Sequence, residues 1–422
     1  VGGVTAALVV AIWNPFVAER LAIGQWTILL GYAVLGWLAA AALSARAPGA
    51  SILPVAAWLA VAGMGGANTI AMALPVALVI LLWPGTASLG PPGPSGPRWH
   101  RVQAAATASA VALGVSAVWA LPGLAVGIAP DPAGAAIFRP QADSPLGVLA
   151  SLLTGGGMWN AVAHDAARGP TALVLALSVL AVLAMIAGWS PMMRVGLAPL
   201  VGVGVIALLV VLASATPRVR AVWDELLAVL PGGGVVRDSQ KLLAAWVLAL
   251  VLLTAGAVDR LLTWPRVRAF AAILGVALVL APVALQPTLT WGLAGRLGAH
   301  PVPEDYRATA ARLSAAEPGL VGVLPWNQYR RYPWNASRVA LSLAPRIIDQ
   351  PVLQNDALPT RSGWVAGEDA RAAAVTAAIA SGTDPVTALR AQGVRYLLVE
   401  ADASPAAAGR PWSVPADARR LA

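Results

Sequence analysis

The stretch Asn14–Tyr32, NPFVAERLAIGQWTILLGY, decides how this chain is read. It opens on Asn-Pro, a pair that ends helices because proline lacks an N–H and restricts the residue before it. Glu19-Arg20 follows, and Gly24-Gln25-Trp26 leads into an apolar run without charge as far as Ala42. Such a run approaches the roughly 20 residues that a membrane-spanning helix needs. Trp26 stands at its entrance, where an interfacial aromatic belongs. Proline and the charged pair argue against burial in lipid. The expectation is a short segment on the membrane surface that turns into a transmembrane helix.

Composition points the same way. The chain has 422 residues, 58% hydrophobic and only 11% charged, with a mean hydropathy of +0.73. Soluble domains carry about 25% charged residues, so the deficit indicates a polytopic membrane protein. The Ala, Val, Leu, Gly, Pro and Arg bias suggests a GC-rich bacterial genome. Cysteine is absent, which excludes disulfides and thiolate metal sites. His100, His164 and His300 are scattered, so a histidine cluster for a metal is not expected. No cofactor is evident, and a divalent metal has no recognisable site. The net charge of +9 is almost all arginine. In this setting it fits basic loops facing anionic headgroups, so membrane lipids are the expected partners and nucleic acid is not. Val1–Trp13 is apolar but too short to span alone, and nothing in it reads as a signal peptide. The chain is therefore expected to lack part of a longer parent, or to start at a non-ATG codon.

Apolar segments fall at about 1–13, 26–44, 51–64, 69–83, 104–125, 171–188, 196–214 and 242–258, with another near 268–286. These predict an α-helical membrane domain over 1–290 with about 8–9 transmembrane helices. The segments 51–64 and 69–83 are separated by Gly65-Gly66-Ala67-Asn68 and read as two short spans. With alternation, Arg46, Arg98, Arg101, Arg194, Arg260, Arg266 and Arg268 collect in short loops of one side, which the positive-inside rule places in the cytoplasm. The Pro/Gly-rich loop 84–103 lies on that side. After Trp291 the texture becomes that of a soluble protein. Acids in the first turn predict a helix over 303–316. Gly319–Leu324 reads as a buried strand, 366–379 as an Ala-rich helix, and Asp384 caps a further helix that Gly393 stops before a strand RYLLV at 395–399. Residues 291–422 are thus expected to form an extracytoplasmic α/β domain.

Four constellations could carry chemistry. In Pro231–Lys241, PGGGVVRDSQK, glycines and a helix N-terminus suit an anion, and Arg237 and Lys241 add charge-assisted donors. This suits lipid phosphate; anchoring charges behind a glycine turn are the plainer reading. Glu19 and Arg20 form either a local ion pair or a phosphate contact by Arg20 that Glu19 orients. In Trp326–Arg338, WNQYRRYPWNASR, the aromatics Trp326, Tyr329, Tyr332 and Trp334 alternate with Arg330, Arg331 and amides, which suits stacking on sugars or packing against a membrane. The long loop 126–170 carries Phe138, Arg139, Asp143, Gly155–Gly157, Trp159 and His164-Asp165, with an amphipathic middle at 146–153. His164-Asp165 lacks a nucleophilic serine in an elbow context, so it is not a triad. No P-loop, dinucleotide fingerprint or HExxH is present. Spans almost free of charge argue against an ion-coupled pump.

The stretches Asn14–Tyr32, Arg237–Lys241, LPWNQYRRYPWN…RIIDQPVLQND at 324–356 and GVRYLLV at 393–399 together resemble late segments of the GT-C glycosyltransferase superfamily. The likeness is to its actinobacterial arabinofuranosyltransferase-like and YfhO-like members. The resemblance implies a membrane glycosyltransferase, or part of one, that uses a polyprenyl-phosphate-linked sugar donor in cell-envelope polysaccharide assembly. Its partners would be the lipid-linked donor and a cell-wall polysaccharide acceptor. Arg20, Arg237 and Lys241 would hold lipid phosphate, and Trp326, Tyr329, Arg330, Arg331, Tyr332 and Trp334 would meet glycan. The usual catalytic acid of that family sits in a first extracytoplasmic loop that has no counterpart here, which leaves Asp238 as a weak candidate. The alternative is a non-catalytic membrane protein that binds or presents a lipid-linked glycan.

Overall fold

The structure is a computed structural model, and it describes residues 2–85, 96–126, 136–164, 171–194, 196–229, 235, 237–263, 268–360 and 363–405. The chain divides into two compact units, one made of 1–127 with 138–297 and the other of 128–137 with 298–422.

The first unit is helical. Helix α1 (Gly2–Ile12) meets α2 (Pro15–Ala22) at Asn14, which serves both. Its side-chain oxygen accepts the Val17 N–H at 3.0 Å as the α2 cap, and its Nδ2 donates to Val10 O at 2.9 Å and Ala11 O at 3.1 Å. Pro15 occupies the first helical turn, where a missing N–H costs nothing. The two helices together make a candidate span, Gly2–Ala22. The expected surface segment is thus corrected: 15–22 is helical, and Glu19 and Arg20 are buried in protein at 2% and 0% exposure.

Gly24, at φ +72°, lets the chain turn from α2 into α3 (Trp26–Ser44), and Trp26 stands exposed at its start. Tyr32 on α3 donates its hydroxyl to Ala11 O at 2.9 Å and lies 5.5 Å from the Phe16 ring, so the opening stretch closes upon itself. Helices α4 (Leu53–Gly63) and α5 (Ala67–Leu82) are separate, joined by a turn with Gly66 at φ +83°, and each is shorter than a full span. Arg46, counted above as a loop charge, is buried and donates to Ile80 O at 2.6 Å, Trp83 O at 3.0 Å and Gly85 O at 2.6 Å at the end of α5. Then follow α6 (Arg98–Val126), the short α7 (Gly147–Leu153), α8 (Thr171–Arg194), α9 (Ala198–Ser214), α10 (Pro217–Val229), α11 (Leu243–Leu262) and α12 (Arg268–Leu285).

Helix α11 is the centre of this unit, with α1, α8, α9 and α12 packed around it. The packing depends on small residues: a Cβ on Gly188 of α8 would lie 1.9 Å from Leu253 O, so the two backbones touch there. Outward faces stay apolar, as with Trp37, which stacks on Trp58 at 5.6 Å. Among the described residues, four helices are long and apolar enough to cross a membrane, or up to six if two bent pairs each count as one span. These are fewer full-length spans than the sequence suggests, in part because the runs 51–64 and 69–83 form helices of 11 and 16 residues.

The second unit is a small α/β structure. Strands β1 (Leu320–Leu324), β4 (Val352–Leu353) and β7 (Val394–Val399) form a parallel sheet in the order β4-β1-β7. Helix α13 (Glu304–Ala315) covers one face over Val321, Val323 and Leu398. Helices α14 (Ala370–Ala380) and α15 (Pro385–Ala391) cover the other over Leu324, Leu353 and Leu397. Asp369 and Asp384 cap α14 and α15, and Gly393 at φ +78° ends the latter. An antiparallel sheet of β2 (Tyr329–Arg331), β3 (Val339–Leu341) and β8 (Ser404–Pro405) runs in the order β3-β2-β8, and β5 (Leu358–Thr360) pairs with β6 (Gly363–Val365).

Candidate functional site

Three segments far apart in sequence meet inside the first unit: α2, the loop 143–158 and the turn 237–242 that opens α11. Their charged residues Glu19, Arg20, Asp143, Asp238 and Lys241 are all buried. A buried charge survives only when paired and hydrogen-bonded, and each of these has such partners.

Arg20 uses both terminal nitrogens of its guanidinium. Nη1 donates to Asp238 Oδ2 at 2.8 Å and to Gln25 Oε1, while Nη2 donates to Gln240 Oε1. Glu19 turns the other way. Its carboxylate accepts Gly157 N–H at 3.3 Å and Met158 N–H at 3.2 Å. Both side chains of the adjacent pair thus make long-range ties. Gln240 joins the segments: its Nε2 donates to Gly156 O at 3.2 Å and reaches Glu19 Oε2 at 3.5 Å. Asp143 Oδ2 accepts the same Gly157 N–H at 3.1 Å. The turn 155–157 needs its glycines, since Gly155 and Gly157 sit at φ +87° and +86°. Lys241 donates to Asn68 Oδ1 and Val235 O. Burial opposes charge on Asp238, but the Arg20 and Lys241 cations beside it outweigh that and hold its carboxyl below the ordinary value.

At the rim of this network, the Arg237 guanidinium lies over the Phe138 ring at 4.7 Å, and Phe138 meets Trp159 edge-on at 4.8 Å. Arg220 holds this corner by donating to Arg237 O at 3.3 Å and pairing with Asp224 at 2.8 Å. Arg139 is exposed beside it. His164 Nε2 is 2.7 Å from Met158 O; a carbonyl only accepts, so Nε2 carries the proton. The glycine run 232–234, Asp165, Arg266 and residues 86–95 of the loop 84–103 lie outside the described residues.

The structure therefore brings together the constellations at 19–20, 237–241 and 138–164, and leaves 326–338 in the other unit. There the aromatic stretch is a strand and a short 3-10 turn whose central residues point inward. Arg330 and Tyr332 are both 0% exposed. Arg330 pairs with Glu400 and donates to Asn327 O at 2.7 Å and Pro325 O at 2.9 Å. Tyr332 donates to Glu400 at 2.8 Å, and Tyr306 donates to the same carboxylate at 2.7 Å. These two expected glycan contacts are thus corrected to a buried cluster that holds the domain together. Trp326 is half-buried with its Nε1 on Thr376 Oγ1 at 2.9 Å, and Trp334 stacks on Tyr332 at 4.8 Å. Sequence reasoning missed Glu400 and Tyr306. The available signal was a lone acid directly after the apolar strand RYLLV, at the carboxyl end of a parallel sheet.

No family model and no curated protein matches the sequence. Two solved structures match the fold. One is arabinofuranosyltransferase AftD from mycobacteria, with a TM-score of 0.57 at 18% identity over 94% of this chain and 26% of that one. The chain shares the fold of part of AftD. A second structure of AftD, carrying a point mutation, gives 0.55 at 17% identity over 96% of this chain and 29% of that one. The chain thus spans roughly a quarter of the length of the AftD structures it matches. Among the described residues, no group of three or more His, Cys, Asp or Glu could hold a metal ion.

Proposed function

We propose that the chain is a membrane-embedded portion of a GT-C-like glycosyltransferase that uses a polyprenyl-phosphate-linked sugar to build an envelope polysaccharide. The transferred sugar would be a pentofuranose if the reaction follows the one named for AftD. One observation carries the reading: in a fold shared with part of a membrane arabinofuranosyltransferase, three distant segments converge on one buried charged network with a cationic rim. Fixed dipoles and charges of this kind, kept from water, are what stabilise a departing phosphate. Arg237 is the residue of this set that stays half-exposed, and it is assigned the direct phosphate contact. Arg20 and Lys241 are buried behind it and act by fixing Asp238 and the turn. We place the division into a membrane domain and an α/β domain near 290, with residues 291–422 extracytoplasmic.

A second reading, binding of a lipid-linked glycan without chemistry, is favoured by what the carboxylates do. Glu19 and Asp238 are engaged in holding Gly157, Met158 and Arg20. The test is polyprenyl-monophosphate binding to the purified chain in detergent, followed by native mass spectrometry. Arg237→Ala should weaken binding about tenfold, the loss of one charge-assisted contact, and Arg390→Ala on the other unit should leave it unchanged. Equal binding by wild type and Arg237→Ala would overturn the phosphate assignment. Turnover of a lipid-linked sugar would then separate the enzyme from the binding protein.

A further inference from the structure

The antiparallel sheet of the second unit turns one face outward. The register pairs Tyr329 with Leu341, Arg330 with Ala340 and Arg331 with Val339. Directly opposed residues point the same way. Tyr329, Arg331, Val339 and Leu341 therefore share the outer face, and Arg330 turns inward to Glu400. Val339 and Leu341 are 48% and 37% exposed, and nearby Ile347 is 36% exposed. Strand β3 is the edge of its sheet. Soluble domains avoid apolar residues on an exposed edge strand, because such edges recruit partners.

Along this stretch of chain the charge is one-sided. Between Tyr329 and Ile348 the chain carries Arg330, Arg331, Arg338 and Arg346 and not one acid. Arg330 is neutralised by Glu400 inside. Arg331 is exposed and is held along the surface by its Nη1 on Ser337 O at 3.0 Å; Arg346 is exposed as well.

We propose that this face, Tyr329, Arg331, Val339 and Leu341 with Arg346 and Ile347 alongside, docks on an anionic phospholipid surface. Guanidinium groups meet headgroup phosphates while the short apolar side chains enter the headgroup–acyl boundary. A glycan fits the face less well, because it offers one half-buried aromatic and neither a carboxylate nor an amide. The first unit of the chain carries helices able to cross a membrane, so a bilayer is always close at hand. A weak contact is enough when it is made by a tethered unit.

The test uses the whole chain, which has no native cysteine. Val339→Cys, Leu341→Cys and, as a reference elsewhere on the unit, Ser381→Cys are labelled with an environment-sensitive fluorophore and reconstituted in vesicles. Nitroxide-labelled lipid should quench positions 339 and 341 several-fold more than 381. Phosphatidylglycerol should strengthen that quenching over phosphatidylcholine alone, and Arg331→Glu with Arg346→Glu should weaken it. Equal quenching at all three positions would overturn the proposal. So would protection of the labels by soluble arabinan or galactan, which would make the face a glycan site. A blue shift that depends on protein density but not on nitroxide lipid would assign the face to a second copy and overturn it too.

Discussion

At the scale of single residues, the charges in the first unit are organised by Arg20. Its guanidinium is wholly enclosed and serves Asp238, Gln25 and Gln240 together. Arg20→Ala would take the hydrogen-bonded cation from a buried carboxylate and leave Lys241 alone beside it, and breaking a buried pair costs about 3–5 kcal/mol. Arg20→Lys should restore little, because an ammonium cannot reproduce a planar fork. Thermal unfolding of the detergent-solubilised chain checks both. Glu19→Gln should cost less, on the order of 1–2 kcal/mol, since the amide oxygen still accepts one of the two backbone N–H bonds. The sequence marked Glu19, Arg20, Asp238 and Lys241 as unusual because charges are rare in so apolar a chain. It could not pair them. Arg20 and Asp238 are 218 positions apart, and no periodicity links an N-terminal helix to a turn so far downstream. The adjacent Glu19–Arg20 pair is what a local reading must prefer, whereas on a helix neighbouring side chains diverge by 100° and these two leave in different directions.

At the scale of elements, close helix contacts and one buried phenol cluster make separate predictions. Gly188→Ala puts a methyl carbon 1.9 Å from Leu253 O, so α8 and α11 must part. The expected loss is about 2 kcal/mol, typical of overpacking. Gly36→Ala, where a Cβ meets nothing within 4 Å, should be neutral or slightly stabilising, and the two variants can be compared in the same melting experiment. In the second unit, burial and then the Glu400 charge push the phenols of Tyr306 and Tyr332 well above their ordinary value of 10.0. Below that value folded and unfolded phenols are alike protonated, so the contribution is fully present. Above it the unfolded chain loses protons that the folded one keeps, and stability falls by up to about 1.4 kcal/mol per pH unit for each phenol. Absorbance at tyrosinate wavelengths should show a delayed component that shrinks in Tyr306→Phe/Tyr332→Phe. The helices and strands of this unit were legible, because caps at Asp369 and Asp384 and the stop at Gly393 are local signals. The fate of the aromatic stretch was not. Only an acid 70 residues later in the chain, Glu400 against Arg330, explains why half of it turns inward.

At the scale of the whole molecule, arginine-rich loops predict that the α3–α4 connection is cytoplasmic and the α/β unit lies across the membrane from it. Ala47 is exposed in that connection and Ser381 on that unit. In intact cells an impermeant maleimide should modify Ser381→Cys and spare Ala47→Cys. The opposite pattern would reverse the topology. The membrane character of the chain was plain from composition, and so was the break at Gly65-Gly66 into two short helices; the count of full spans was not, since hydropathy does not show where a run bends sharply, as α9 and α10 do by 98°. The long tie between Arg20 and Asp238 also has a consequence in time. A ribosome adding 5–20 residues per second needs about 10–45 s to make the 218 positions between them. Throughout that interval the nascent α2 presents the charges of Glu19 and Arg20 without their distant partners, and lipid does not readily accept them. Helix α2 must therefore wait at the water boundary or against the translocon, and settle inward only when the 237–242 turn is synthesised. The order of biogenesis is thus written into the pairing: the first helices of the chain are among the last to reach their final depth.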